Sequence, residues 1–179
     1  ARERLEGLLE LINDWLDMSR IRAGEIVDRL RAVALRTCVD AALAGLELSA
    51  RERGVSVSTA IPPDLPEVMV DPESFREALS NVISNAVKYN REGGRIWIRA
   101  MERDGWVVVE VEDTGYGIRE AEIPFIFEQF YRSKASEIRR QQGTGLGLSI
   151  IRKILQAHGG KVEVRSELGK GTTFSLFIN

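Results

Sequence analysis

The sequence predicts an α+β sandwich, in which a mixed and mostly antiparallel sheet is covered on one face by helices. Two observations predict it. Segments with apolar residues three and four apart share one chain of 179 residues with segments that alternate apolar and polar. The alternating segments also outnumber those a simple strand–helix–strand crossover series would supply, and two of them are joined directly by an Asp-Gly hairpin turn.

Leu5, Leu8, Leu9, Ile12, Trp15 and Leu16 form the stripe of an amphipathic helix running to about Gly24. The same positions fit a two-heptad seam, so residues 1–26 read as one helix of a helical hairpin or dimer bundle ahead of a main domain at 27–179. A helix packed on the rest of the chain is the alternative. Thr37 and Asp40 make a capping box for a helix ending near Arg53, where Gly54 supplies a left-handed stop. Val55, Val57 and Thr59 alternate with Ser56, Ser58 and Ala60 as a half-buried strand ended by Pro62-Pro63. After a short second strand, Asp71-Pro72 places a capping carboxylate before a first-turn proline, opening a helix to about Tyr89. Phe75, Leu79, Val82, Ile83 and Ala86 are its buried stripe. Strands at Arg95–Glu102 and Trp106–Glu112 flank the Asp104-Gly105 turn.

From Thr114 to Gly143 no period persists, and glycines stand at both ends, the pattern of a lid or binding loop. A helix follows from about Leu148 to Ala157, then a turn at His158-Gly159-Gly160 and strands at Lys161–Ser166 and Thr172–Ile178.

Composition narrows the function. The 44% hydrophobic and 29% charged residues suit a domain with a substantial core. With 25 Lys and Arg against 27 Asp and Glu, and no long basic run, the chain lacks a nucleic-acid footprint or polybasic membrane patch. No stretch reaches the roughly 18 apolar residues of a membrane span, and Ala1-Arg2-Glu3-Arg4 is too charged for a secretory signal. A cytoplasmic location is expected, whether or not a longer parent is anchored to a membrane. One cysteine, Cys38, and one histidine, His158, leave most thiol, zinc and triad chemistries without their groups. His158, at a helix end, reads as a C-terminal cap.

Three clusters carry chemistry. Asn81, Asn85 and Lys88 share one flank of the helix opened by Pro72. Asn carbonyl oxygens are hard ligands for Mg²⁺ that bridges phosphates, and a lysine one turn on can meet phosphate charge. An ordinary polar flank would look the same. Asp113-Thr114-Gly115-Tyr116-Gly117 follows a strand whose Val107, Val109 and Val111 share a face. A carboxylate at the strand end can accept from the exocyclic amine of adenine, whereas guanine would oppose it with a carbonyl oxygen. A plain Asp-Gly turn is the alternative. Gly143-Thr144-Gly145-Leu146-Gly147-Leu148-Ser149 sets a glycine-rich backbone before a helix N-terminus, which favours phosphate, although a hinge reads the same way.

In this order and on these elements, the motifs resemble the catalytic ATP-binding domain of sensor histidine kinases. That family lies in the superfamily that includes gyrase-type ATPases, Hsp90-type chaperones and mismatch-repair ATPases. The resemblance covers about residues 27 to 179, and the fold it implies is the Bergerat-type α/β sandwich. Asn81-x-x-x-Asn85-Ala86-x-Lys88-Tyr89 resembles the asparagine box, implying Asn85 as Mg²⁺ ligand with Asn81, Lys88 and Tyr89 beside the nucleotide. Asp113-x-Gly115-x-Gly117-Ile118 resembles the first glycine box, implying that Asp113 holds the adenine amine. Phe127-Glu128-Gln129-Phe130-Tyr131-Arg132 resembles the phenylalanine box of an ATP lid at about 115–143, implying that Phe127 and Phe130 anchor the lid and Arg132 approaches the terminal phosphate. As the bland alternatives, the aromatics could be core residues, and Arg132 and Lys134 solvated charges. Gly143-Thr144-Gly145-Leu146-Gly147-Leu148 resembles the second glycine box, and Gly169-Lys170-Gly171-Thr172-Thr173-Phe174 a closing glycine-threonine turn whose Thr172 is expected at the nucleotide.

The resemblance implies Mg·ATP as ligand and transfer of its γ-phosphoryl group to a histidine on a dimerisation hairpin, then to a response-regulator receiver aspartate. Asn81 stands where the hydrolytic branches carry a glutamate, and an asparagine cannot act as general base. Residues 1 to 24 resemble the second helix of that hairpin. The acceptor histidine of the first helix is absent, so the chain is expected to bind ATP without phosphorylating itself, and to be homodimeric in a full-length parent. A nucleotide-sensing pseudokinase module is the rival reading, and a hydrolytic ATPase a third.

Overall fold

The computed structural model describes residues 26–133 and 144–179; the leading helix expected before Gly24, together with Lys134 and Gly143, lies outside them. Among the described residues seven strands and four α-helices follow one another. They are β1 (Arg31–Val33), α1 (Leu35–Ala44), α2 (Glu47–Glu52), β2 (Ser56–Ala60), β3 (Val68–Val70), α3 (Pro72–Lys88), β4 (Arg95–Arg103), β5 (Trp106–Asp113), α4 (Gly147–Ala157), β6 (Lys161–Glu167) and β7 (Gly171–Ile178). Short 3₁₀ turns occupy Val27–Arg29 and Glu120–Phe125.

The main sheet has the order β2-β4-β5-β7-β6. Its pairs are antiparallel except β2 with β4, which run parallel because α3 crosses over between them. The expected mixed, mostly antiparallel sheet is therefore present. One face of it carries Ile96, Ile98, Val109, Val111 and Leu176, all fully buried beneath α3 and α4, with α1 packed against α3. On the other face Glu110 is also buried, where Arg103 at 3.0 Å and Arg165 at 3.5 Å balance its charge. Asp104 and Gly105 both have positive φ, at 52° and 79°, as a two-residue hairpin turn requires.

α3 forms as its sequence dictates. The Asp71 carboxylate accepts the Ser74 N–H at 3.4 Å, Pro72 opens the first turn, and the stripe from Phe75 to Ala86 is buried. Two expectations change. The capping box at Thr37 is not used, because burying Leu35, Cys38, Val39 and Ala42 starts α1 three residues earlier, with Ala34 rather than Thr37 as an N-cap lacking a side-chain bond. The single helix to Arg53 is two, parted at Gly45 and Leu46, and α2 buries Ala50 alone. The three-residue β1 was too short to show a period; it pairs with β3 in a separate two-stranded sheet. No helix among the described residues is long and apolar enough to cross a membrane.

Candidate nucleotide site

α3, the end of β5, the start of β7 and the chain before α4 converge on one cleft. Helical geometry places Asn81, Ser84, Asn85 and Lys88 along a single flank of α3, and all four line it. Of the residues singled out from the sequence, Asn81, Asn85, Lys88, Tyr89, Asp113, Gly117, Ile118, Arg132, Thr144, Gly145, Gly147, Leu148 and Thr172 line the same cleft.

Asp113 closes one end. It pairs across the ladder with Thr172, and its Oδ1 accepts the Gly115 N–H at 2.8 Å. Burial raises its pKa from 3.8 to about 6, against the opposing pull of the Gly115 and Thr172 N–H groups and with a further push from the Glu112 charge. A buried carboxylate that accepts two backbone N–H groups still has lone pairs for a ligand donor.

Asn81 and the start of α4 form the other end. The N-cap of α4 is Leu146, with no side-chain cap, so the first amides of the helix have no side-chain acceptor at that position. Gly145, at φ +77°, makes the turn into it, and a Cβ there would stand 2.8 Å from the Phe130 carbonyl carbon. Gly147 lies against Asn81, whose Oδ1 would be 3.3 Å from an added Cβ.

Four sequence-singled residues sit elsewhere. Gly115 packs behind the cleft against the Tyr89 carbonyl. Leu146 is buried with Ala78, Ile150 and Ile154 between α3 and α4. Phe127 meets Phe174 edge-on at 6.4 Å, with Arg152 over its ring. Phe130 has no such ring contact: the residue is 63% exposed and its φ is 63°. Its backbone makes the connection instead, the N–H donating to Gly145 O at 2.9 Å.

Sequence reading missed Ser84, Ile126 and Ser133, and placed Tyr131 and Phe174 within motifs without assigning them to the site; all five also line the cleft. Ser84 was accessible from the wheel, three residues after Asn81. Phe174 shares its strand face with Thr172. Tyr131 and Ser133 had no periodic signal; the Glu122 carboxylate gathers both, at 3.3 and 2.8 Å.

The donor set suits a hard cation with few protein ligands. Among the described residues no group of three His, Cys, Asp or Glu could cage a metal, and the side-chain oxygens on the α3 flank are neutral, the amides of Asn81 and Asn85 and the hydroxyl of Ser84. That fits a Mg²⁺ held chiefly by water and phosphate.

Residues 70–179 match the family model described as histidine kinase-, DNA gyrase B- and HSP90-like ATPase. The chain belongs to this ATPase family. Within the family it is an ATP-binding catalytic domain of the sensor histidine kinase type. Histidine protein kinase DivJ of Caulobacter vibrioides is 36% identical over 169 residues, covering 94% of this chain and 28% of the relative. Full-length ShkA, solved in complex with AMPPNP, superposes with a TM-score of 0.82 at 32% identity, over 99% of this chain and 37% of that one. Histidine kinase ThkA, solved in complex with response regulator protein TrrA, gives 0.68 at 25% identity, over 83% and 41%. The chain spans less than half the length of these curated relatives, from 19% of one to 47% of another.

Proposed function

We propose that the chain binds Mg·ATP in this cleft and passes the γ-phosphoryl group to a histidine on a helical hairpin, for relay to a response-regulator aspartate. The observation that carries the reading is the polarity of the cleft. One end offers a buried carboxylate acceptor at Asp113, the other neutral amides and helix N–H groups at Asn81, Asn85 and α4. That asymmetry matches a ligand with an amino-bearing ring at one end and phosphates at the other.

In this reading Asp113 accepts the adenine amine, and Thr172 keeps the carboxylate in place through the β5–β7 ladder. Asn85, with Asn81 beside it, would hold Mg²⁺, which supplies charge neutralisation between phosphate oxygens. Lys88, Arg132 and the amides from Gly145 to Leu148 meet the remaining phosphate charge. The bond from Pγ to the β,γ-bridging oxygen breaks as a histidine nitrogen–phosphorus bond forms, and ADP leaves. Asn81 offers no base to activate water, which favours transfer over hydrolysis. Residues 1–26 belong to the hairpin that carries the acceptor in a homodimeric parent, the lid covers about 115–143, and ATP as substrate implies the cytoplasm.

Calorimetric titration with Mg·ATP and Mg·GTP tests the pocket, and incubation with ATP and a histidine-bearing hairpin tests the transfer. The expected results are binding of ATP alone and an acid-labile phosphoramidate on the hairpin. Equal binding of GTP would overturn the adenine assignment. Rapid phosphate release without an acceptor would replace transfer by hydrolysis.

A further inference from the structure

α3 and α4 pack antiparallel, and their two contact ends differ in kind. At the cleft end Gly147 lies against Asn81. At the far end His158, the C-cap of α4, is buried and accepts the Asp71 N–H on Nε2 at 2.9 Å. Its Nδ1 donates to Ile154 O at 2.7 Å, which fixes the ring as the Nδ1–H tautomer. Asp71 is the residue that caps α3. Between the ends lie Ala78, Leu146, Ile150 and Ile154, an apolar contact that resists separation but sets no axial position, because burial is non-directional. A hydrogen bond is directional, and α-helices transmit a shift at one end rigidly to the other.

We infer that His158 is a positioning residue for the phosphate end of the site: its bond to Asp71 sets where the N-terminus of α4 stands against Asn81 and Asn85. The inference rests on the proposed reading of the cleft as a nucleotide site. It assigns His158 no contact with the ligand. The bond needs an unprotonated Nε2, since a cationic ring would set N–H against N–H. The surroundings keep the ring neutral. Burial lowers its pKa, opposed by the Ile154 carbonyl and by the Asp71 carboxylate, which Arg29 faces at 3.7 Å; the Phe75 ring, 6.2 Å away, adds no charge.

Two variants separate positioning from mere stability. His158→Gln keeps an acceptor for the Asp71 N–H and gives up the bond to Ile154, whereas His158→Asn keeps a donor for Ile154 and gives up the link between helices. Each loses one hydrogen bond, so similar drops in Tm are expected. Affinity for Mg·ATP, measured by calorimetry beside ADP, should stay within about twofold of the parent in His158→Gln. It should fall about tenfold in His158→Asn, with a smaller change for ADP. Equal Mg·ATP affinity in two folded variants would overturn the inference alone. No Mg·ATP binding by the folded parent would overturn the cleft reading and the inference with it. Should a variant not fold, the parent decides, because its sole histidine gives a single Cε1–H resonance to follow with pH. Protonation of that ring must weaken Mg·ATP more than ADP, and an unchanged ratio refutes the inference.

Discussion

Asp113 and Thr172 stand directly opposite each other across the β5–β7 ladder, so the carboxylate at the adenine end is held by the sheet rather than by a loop. The Gly115 N–H at 2.8 Å and the Thr172 N–H both draw on the carboxylate, and the rest of its roughly four lone-pair sites are open to a ligand amine. An asparagine has one acceptor oxygen for all three donors. Asp113→Asn should therefore lower ATP affinity by about tenfold or more, the usual scale for an unpaired buried group. Tm should not fall, because the substitution removes the cost of a buried charge. Calorimetry and thermal melts on the same protein check both halves.

The same carboxylate predicts opposite pH trends for binding and stability. Its pKa is raised from 3.8 to about 6, so the fold disfavours the ionised form. The cost is absent below the unfolded value and fully present above about 6; this group's contribution to stability improves as pH falls between them. Adenine binding needs the ionised acceptor, so ATP affinity should decline as pH drops through about 6, approaching tenfold per unit below it. Affinities measured from about pH 5 to 8 should show the decline, and Asp113→Asn should flatten it.

Gly145 is irreplaceable on two counts. Its φ of +77° costs an L-residue about 1–2 kcal/mol, and a Cβ would press on the Phe130 backbone. Gly145→Ala should lower stability by at least that amount and weaken Mg·ATP, since the displaced turn opens α4. Chemical denaturation gives the first and nucleotide titration the second.

The two phenylalanines of the lid should behave unlike each other. Phe127→Ala removes the edge contact with Phe174 and the Arg152 contact, and should cost about 1–2 kcal/mol for a partly buried ring. Phe130→Gly removes an exposed ring at φ 63° and should stay within about 0.5 kcal/mol of the parent, strain relief offsetting the entropy of glycine. Urea midpoints for both settle the matter.

Elements with their own local signals were legible in the sequence. α3 had a cap, a first-turn proline and an unbroken stripe, and the β4–β5 hairpin had a turn that only positive φ satisfies. Asn81, Asn85, Lys88 and Asp113 were legible because regular elements carry them. The start of α1 was not, since burial of Leu35 outweighed the polar signal at Thr37. Tyr131 and Ser133 reach the cleft through Glu122, a contact between irregular segments that leaves no period to read. The exposure of Phe130 was not legible either: a motif marks an aromatic, but its φ of 63° goes with a ring turned to solvent.

The stretch from Tyr116 to Phe130 is tied to the domain at fixed points. Tyr116 O takes the Gly169 N–H at 2.7 Å, Ile118 N–H reaches Ser166 Oγ at 2.8 Å, and Phe130 N–H meets Gly145 O at 2.9 Å. On the side of this stretch all three bonds use main-chain atoms, which every residue but proline supplies. Side chains at Tyr116, Ile118 and Phe130 are therefore free to drift in sequence while the path of the backbone over the cleft is kept.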